Sequence, residues 1–359
     1  MKFIFFSARL YKSDFRKFLI EALRAAGHEA WHVRIGRCNK LTSIEGSEEF
    51  CGIAGLLGMI RHLRIIGAKG KIVYVDSTGA ITPVRSILLR VLLRAGTWCF
   101  DIFDNLLYDY RGYRLIKARI SIKLLAHRSR ILLVSSRESL RLFPSARHLD
   151  HAADVPRVNR EDRNFRDLVV LSSIDQRFDF ELVREIARLS PAHRIVIHGH
   201  VMHDNEIIGR GLAELCAQQT NIVYSGKYEF DDVPAILNPY AIGLAPYVIG
   251  RLTEFINPEK YYSYLQGGLE VISTDIPQAR RMGEWIHVVN SPADAVEVAR
   301  RIEQDKTFRK NTGLGPDYSW SRRARDLVDV VNAPEAGEEG QREAIQPMLQ
   351  VGRRGPLLT

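Results

Sequence analysis

Short apolar runs alternate with helix-spaced segments along most of the chain. KFIFF at 2–6, KIVYVD at 71–76 and ILLVSS at 131–136 have the length and composition of buried strands. Between the first two, FRKFLIEALRAAG spaces its Phe and Leu residues as a helix does and ends at Gly27. Strands that alternate with helices are typical of βαβ units with a parallel sheet. The pattern therefore predicts one α/β domain over residues 1–156.

The alternation stops once and then starts again. PRVNREDRNFRD, at 156–167, is charged and has no periodicity, which predicts a linker. The runs DLVVLSS, RIVIHGH, NIVYSG, AIGLAPY and LEVIST follow, with helical segments between them, and predict a second doubly wound α/β domain over 157–332. Residues 333–359 are rich in Gly, Pro and Glu and are predicted to be a disordered tail. A length of 359 residues is consistent with two domains.

Parallel sheets bind ligands at the carboxyl ends of their strands, so two such domains facing a cleft predict a nucleotide-type ligand. The chain contains neither GxGxxG nor GxxxxGK[ST], which disfavours a dinucleotide-dependent dehydrogenase or epimerase and a P-loop enzyme. The four cysteines form no CxxC pair, so they are expected to be reduced thiols without zinc or disulfide bonds. HGHVMHDNE at 198–206 could suggest a metal site, but we expect a hydrogen-bonded loop there.

Positive charge predicts an anionic partner. Lys and Arg number 51 against 42 Asp and Glu, a net charge of +9. Ten of these cations, against three Asp, lie between residues 83 and 131, where they alternate with aliphatic residues at helical spacing. Such helices bind anionic bilayers, although they could also pack on the sheet with basic outer faces. The candidate membrane contacts are Arg85, Arg90, Arg94, Lys117 and Lys123. Nucleic acid is disfavoured because aromatic platforms are lacking.

No apolar stretch is long enough to span a membrane, and the N-terminus is too short and too soon charged for a signal peptide. We therefore expect a cytoplasmic protein, peripherally associated with the inner face of the cell membrane.

The segment TEFINPEKYYSYLQGGLEVISTD carries the clearest candidate chemistry. Asn257 and Pro258 mark a helix start, and the glycine pair 267–268 marks its end. A helix start offers free backbone amides and a positive dipole end to a phosphate, and Lys260 in the first turn adds a full charge. The alternative is a capped amphipathic helix whose lysine faces solvent.

This segment, NPEKYYSYLQGGLEVISTDIP, resembles the NPxKxxEYLAxGxPVVSTxLP segment of bacterial glycosyltransferases of the GT-B type. SSIDQRFDFELVREIARLSP is similar to the segment that opens their donor domain, with the D-x-R-x-D run at Asp175, Arg177 and Asp179. HAAD at 151–154 stands where they carry an HGVD or NGVD linker, and YSWSRRARDL resembles their C-terminal SWxxRA helix.

The resemblance implies a GT-B fold: two Rossmann-like, doubly wound parallel-sheet domains facing a cleft. It further implies a nucleotide-sugar donor as substrate, with no cofactor and no metal, and with Lys260 on the diphosphate. The donor-binding residues that it implies are Ile174, Gly226, Lys227, Tyr228, Asn257, Lys260, Ser263 and Gly267. Ile174 would stack near uracil, although it could equally belong to the core, and Tyr228 could equally be a loop aromatic that packs on the domain.

Two departures from the family pattern bear on mechanism. Ser263 stands where an acidic residue commonly reaches the donor ribose. Neither Glu254 nor Glu259 is followed by a second Glu eight residues later, as in many retaining relatives, which favours inversion. The most similar patterns are those of xanthan-type glucuronosyltransferases and teichuronic-acid-type glycosyltransferases. They place the catalytic base at Asp104, where an N-cap is the alternative role, and a supporting carboxylate at Asp101.

These observations predict an inverting glycosyltransferase that moves a sugar from a UDP-sugar, such as UDP-glucuronate or UDP-glucose, to a lipid-linked glycan. The product would belong to exopolysaccharide or cell-envelope polysaccharide. The alternative is a non-catalytic GT-B scaffold or partner of another glycosyltransferase.

Overall fold

The computed structural model describes residues 1–7, 14–36, 43–44, 47–51, 71–76, 96–102, 112–126, 129–157, 163–202, 205–305, 308, 310–311 and 313–333. They belong to two compact units. The first unit is Met1–Asp150 together with the chain from Trp320 onward, and the second is His151–Ser319. Among these described residues, none of the helices has both the length and the hydrophobicity of a transmembrane span.

The first unit is built on an eight-stranded sheet, as far as the described residues show. The strands are β1 Lys2–Ser7, β2 Glu29–Gly36, β3 Ser43–Ile44, β4 Ser47–Cys51, β5 Lys71–Asp76, β6 Thr97–Ile102, β7 Ile131–Val134 and β8 Arg147–His148, in the order β3-β4-β2-β1-β5-β6-β7-β8. Neighbouring strands are parallel except β3 and β4. Helix α1 is Arg16–Ala25 and helix α2 is Gly112–Ala126. Strands buried on both faces explain why the sequence shows continuous apolar runs here.

The second unit contains a six-stranded parallel sheet. Its strands are β9 Asn164–Ile174, β10 Arg194–Val201, β11 Ile222–Gly226, β12 Tyr240–Ala245, β13 Glu270–Thr274 and β14 Ile286–Val289, in the order β11-β10-β9-β12-β13-β14. Its helices are α3 Phe180–Leu189, α4 Glu206–Gln218, α5 Val233–Leu237, α6 Glu259–Gln266, α7 Pro277–Arg281 and α8 Pro292–Gln304. The strand order reverses between β9 and β12, and such a topological switch point is where open α/β sheets bind ligands.

The chain divides at other positions than the sequence predicts. It divides after Asp150, before the expected boundary at 156, and β9 begins inside the expected linker. Helix α9, Trp320–Asn332, groups with the first unit, where the Trp320 ring lies 6.0 Å from Phe15 and 6.1 Å from Phe18. Apolar spacing locates a helix, but it does not specify which core the helix covers. Of the predicted tail, the structure describes residue 333 alone.

Candidate functional site

The turn after β9 is shaped by the D-x-R-x-D run. One Asp175 carboxylate oxygen accepts a hydrogen bond from the Arg177 backbone N–H at 2.8 Å, and the Arg177 guanidinium donates back to the same carboxylate at 2.6 Å. The Asp179 carboxylate caps α3 by accepting from the Leu182 N–H at 2.8 Å. The turn therefore holds the Arg177 guanidinium close to the end of β9.

Backbone contacts join this turn to the end of β12, across the switch point. The Arg177 carbonyl accepts from the Val248 N–H at 2.9 Å, and the Asp179 N–H donates to the Pro246 carbonyl at 3.0 Å. Phe178 and Tyr247 form an antiparallel bridge between them. The carboxyl ends of β9 and β12 are thus held together, with Tyr247 buried at the junction.

Helix α6 is fixed against the same two strands. The Tyr264 ring covers Gly243 of β12 so closely that a Cβ atom on that glycine would lie 2.7 Å from the ring. The Tyr264 hydroxyl accepts from the Leu171 N–H of β9 at 2.7 Å. At the other end Gly268 has φ +85°, and the Leu269 N–H closes the helix on the Tyr264 carbonyl at 2.9 Å. The predicted glycine-terminated helix is confirmed, and the sheet positions its first turn.

Lys260 extends from that first turn to the switch point. Its ammonium donates to the Ser172 hydroxyl of β9 at 3.2 Å and lies 4.7 Å from the centroid of the Tyr247 ring. Burial and the neighbouring positive charge of Arg177 lower the pKa of Lys260 to about 7, while Asp175 and Glu259 act in the opposite direction. These contacts disagree with the alternative of a solvent-facing lysine. Two cations at one switch point can bind a diphosphate.

The Ser263 side chain binds a carboxylate one helical turn before it. Its hydroxyl donates to the Glu259 carboxylate at 2.5 Å. Burial raises the pKa of Glu259 to about 7, against the opposing effects of the Ser263 hydrogen bond and the Lys260 charge. Burial raises the pKa of the Tyr228 phenol, and the nearby negative charge of Glu259 raises it further. An acid therefore lies beside Ser263, although residue 263 itself is not acidic.

The remaining predicted donor residues differ in accessibility. Ile174 is 0% exposed and packs in the core of the second unit, so its burial does not support stacking on uracil. Asn257 is also buried, and its amide oxygen accepts from the Tyr262 hydroxyl at 3.0 Å. Gly226 ends β11 with φ +86°, and Lys227 after it is exposed. Gly267 is the C-cap of α6.

Asp101, at the end of β6 in the first unit, is part of a buried charged cluster. Its carboxylate accepts from the Arg16 guanidinium at 2.7 Å and from the Tyr74 hydroxyl at 2.5 Å. A second carboxylate, Asp14, accepts from the Ser7 hydroxyl at 2.7 Å and from the Arg16 backbone N–H at 3.1 Å. Burial, followed by the Asp101 charge, raises the pKa of the Tyr74 phenol. Asp101 is therefore an ion-paired carboxylate that fixes the end of β6.

Several predicted residues have little or no description. Asp104, Arg85, Arg90 and Arg94 lie outside the described residues. Lys117 and Lys123 belong to α2, and the Lys117 ammonium is 5.8 Å from the centroid of the Tyr113 ring. The segment HGHVMHDNE is not all loop as predicted, because its residues 198–201 end β10, where burial lowers the pKa of His198. Within the described part of the chain no three His, Cys, Asp or Glu side chains are grouped to hold a metal ion.

Sequence reasoning missed the partners of the charged groups. Ser172 is the second-last residue of DLVVLSS and Tyr247 is the last residue of AIGLAPY, so their position near strand ends was a usable signal for the contacts with Lys260. Arg16 lies 85 residues from Asp101, and no local pattern links the two.

Known proteins resemble this chain only weakly in sequence. No protein-family model matches the chain. Bacillus subtilis TuaH, which has the provisional name teichuronic acid biosynthesis glycosyltransferase, is 23% identical over 160 residues, which are 42% of this chain and 39% of TuaH. This chain thus matches well under half the length of that relative.

Solved structures match nearly the whole chain. Anabaena HepE, in complex with UDP and glucose, superimposes with a TM-score of 0.64 at 12% identity, covering 98% of this chain and 100% of HepE. Sucrose-phosphate synthase from Thermosynechococcus elongatus gives 0.62 at 13% identity, with 98% of each chain covered. The UDP-forming trehalose-phosphate synthase from Burkholderia xenovorans, solved with glucose-6-phosphate, gives 0.59 at 12% identity, with coverages of 98% and 100%. The chain therefore has the GT-B fold, with two Rossmann-like domains, and resembles bacterial glycosyltransferases of the teichuronic acid type.

Proposed function

We propose that this protein is a glycosyltransferase that moves a sugar from a UDP-sugar to a hydroxyl group of a lipid-linked glycan. The observation that carries the proposal is the position of Lys260 at the switch point of the second unit, held by Ser172 and Tyr247 beside the Arg177 guanidinium. The resemblance to TuaH, the UDP and glucose bound by HepE and the UDP-forming synthases among the similar structures support a UDP-sugar donor.

The proposed reaction is a single displacement with inversion. The acceptor oxygen bonds to the anomeric carbon as the bond from that carbon to the UDP oxygen breaks, and Asp104 takes the acceptor proton. Negative charge builds up on the leaving diphosphate, where Lys260 and Arg177 stabilise it. Two fixed cations supply this stabilisation in the proposal, so no metal ion is required. Glu259, held by Ser263, accepts from a nucleoside hydroxyl, and Tyr228 lies beside it.

The acceptor and the location belong to the same proposal. The net charge of +9 and the cations concentrated between residues 83 and 131 favour contact with an anionic membrane. Lipid-linked glycans for exopolysaccharide or cell-envelope polysaccharide are presented at that surface. We infer a peripheral protein at the inner face of the cell membrane.

A transfer assay tests the proposal. The protein is incubated with radiolabelled UDP-glucose or UDP-glucuronate and a bacterial lipid extract, without added metal. Label that moves into the lipid fraction supports the transferase. Binding of UDP with neither transfer nor donor hydrolysis would favour the second candidate, a non-catalytic GT-B scaffold, which the serine at position 263 makes reasonable.

Asp104→Asn tests the proposed base. An amide cannot accept the acceptor proton, so we expect kcat to fall by about a hundredfold or more while UDP affinity stays unchanged. Full turnover by this variant would remove Asp104 from the mechanism. Asn retains the ability to cap a helix, so a variant with normal stability and low kcat separates the base from the N-cap role.

Binding of a nucleotide-sugar is expected to depend on pH through Lys260. Because the pKa of Lys260 in the free protein is about 7 and a bound diphosphate favours the ammonium, binding takes up a proton above that pH. Affinity for UDP-glucose should then fall with rising pH, approaching about tenfold per pH unit above the pKa. UDP-glucose is the suitable ligand because its diphosphate has no group that titrates near neutral pH.

Calorimetry in buffers of different ionisation enthalpy measures this proton uptake. Lys260→Arg should abolish the uptake, because arginine stays protonated throughout this range. Glu259→Gln should preserve it, which separates the lysine from the neighbouring carboxyl group. Equal uptake by Lys260→Arg and the unaltered protein would contradict the assignment.

A further inference from the structure

Helix α2 has apolar residues on two opposite faces. Ile122 and Leu125 are buried in the core of the first unit, and Leu115 and Ala118 pack against the same core. On the opposite side Tyr113 is 74% exposed, Ile116 55% and Ile120 47%. At 3.6 residues per turn these three positions fall within about 60° of the helix circumference. They form one continuous row, which we call the α2 stripe.

Cations accompany the α2 stripe. The helix carries Arg114, Lys117, Arg119 and Lys123 and no acidic residue. By helical spacing Lys117 lies along one edge of the stripe and Arg119 along the other. The Lys117 ammonium is 5.8 Å from the centroid of the Tyr113 ring, so its aliphatic stem runs beside the stripe.

An apolar row with cations on both sides suits the surface of an anionic bilayer. The apolar side chains enter the boundary between headgroups and acyl chains, and the cations meet lipid phosphates. Three side chains in one row are few for a stable protein interface, which needs about 800 Å² from each partner. A bilayer requires no matching shape. The charge of α2, four cations without an anion, also favours a lipid surface over a neutral partner.

We propose that the α2 stripe, Tyr113, Ile116 and Ile120, with Lys117 and Arg119 at its edges, is the face of this protein that docks on anionic membrane lipid. The inference rests on the membrane location proposed above and names the surface responsible. The docking surface does not include the donor site, so an experiment can disprove the docking surface without disproving the donor site, and the reverse.

Vesicle binding tests the proposal on the full-length protein. The probes are vesicles of phosphatidylcholine alone and of phosphatidylcholine mixed equally with phosphatidylglycerol. We expect binding to the mixed vesicles only. The double variant Ile116→Ser/Ile120→Ser should bind them at least about tenfold more weakly, because each exposed isoleucine loses its apolar transfer into the bilayer. Lys117→Gln should weaken binding by about fivefold and reduce its dependence on salt.

Matched controls come from α4. Ile207 is 74% exposed on a helix of the other unit, and Arg210 is an exposed cation on the same helix, so Ile207→Ser and Arg210→Gln should bind vesicles normally. Because the stripe is exposed, the double variant should also keep its unfolding temperature and its UDP affinity. Normal UDP affinity with lost vesicle binding separates this inference from the donor site.

Three results would overturn the proposal. One is equal vesicle binding by the double variant and the unaltered protein. A second is that the unaltered protein binds neither kind of vesicle and that the double variant unfolds at a lower temperature. This result would show that another part of the chain covers the stripe. The third is a dimer in light scattering that the double variant converts to a monomer, which would assign the stripe to a second copy of the chain.

Discussion

Lys260→Ala is expected to lower kcat/KM for the nucleotide-sugar by about a thousandfold and to weaken UDP binding, while the protein stays folded. The alanine removes a charge that the proposed reaction uses most when the diphosphate leaves, and the loss of one such group typically costs about 3–4 kcal/mol of transition-state stabilisation. Arg177 remains at the site, but it is already paired with Asp175. Steady-state kinetics and UDP calorimetry measure the two effects.

Lys260→Ala should not lower the stability of the fold. The pKa of Lys260 is lowered to about 7, which means that the folded protein disfavours the ammonium relative to the unfolded chain. The contribution of Lys260 to the free energy of unfolding therefore increases with pH above about 7, because the unfolded chain then binds more protons than the folded protein. Lys260→Ala should therefore unfold at the same or a higher temperature near neutral pH. Lys2→Ala is the control, since Lys2 forms an exposed ion pair with Glu29 in the other unit. Unchanged kinetics in Lys260→Ala would remove Lys260 from the site.

Asp101→Ala is expected to destabilise the first unit by about 3–5 kcal/mol. Arg16 is 2% exposed, and two of its guanidinium nitrogens donate to the same Asp101 oxygen, so loss of this carboxylate removes both hydrogen bonds from a buried cation that keeps Asp14 at 3.6 Å. The Tyr74 hydroxyl also loses its short hydrogen bond. Denaturant unfolding followed by circular dichroism measures the loss. UDP affinity of the second unit, at temperatures where the variant is folded, should stay close to normal.

Two further variants define the origin of that loss. Arg16→Met/Asp14→Asn/Asp101→Leu removes all three charges of the cluster and should recover much of the stability, because uncharged residues can replace a buried ionic cluster. Glu29→Ala breaks the exposed pair with Lys2 and should cost about 1 kcal/mol or less. A loss in Asp101→Ala as small as that in Glu29→Ala would show that the cluster contributes little.

Local pattern was sufficient for much of the second unit. The segment NPEKYYSYLQGG identified a helix, its glycine end and the lysine of its first turn, because each of these features depends on residues close together in sequence. The alternation of apolar runs likewise predicted both parallel sheets. Local pattern alone does not specify the order of strands that creates the switch point. That order agrees with the resemblance to GT-B proteins.

Long-range contacts were not predictable in the same way. The Arg16 to Asp101 pair joins α1 to β6, and the packing of Trp320 on Phe15 and Phe18 places α9 with the first unit. Neither contact has a signature in the spacing of nearby residues. Ile174 is a position where the family resemblance predicted contact with the nucleotide base. The structure instead places it, fully buried, in the core of the second unit.

Titration of the unaltered protein with UDP, GDP and ADP by calorimetry, without added metal, is the decisive test of a nucleotide-sugar site at Lys260. We expect saturable binding of UDP, with weaker binding or none for the purine nucleotides. No heat of binding for any of the three, in a sample that unfolds cooperatively, would contradict a nucleotide-sugar site at Lys260.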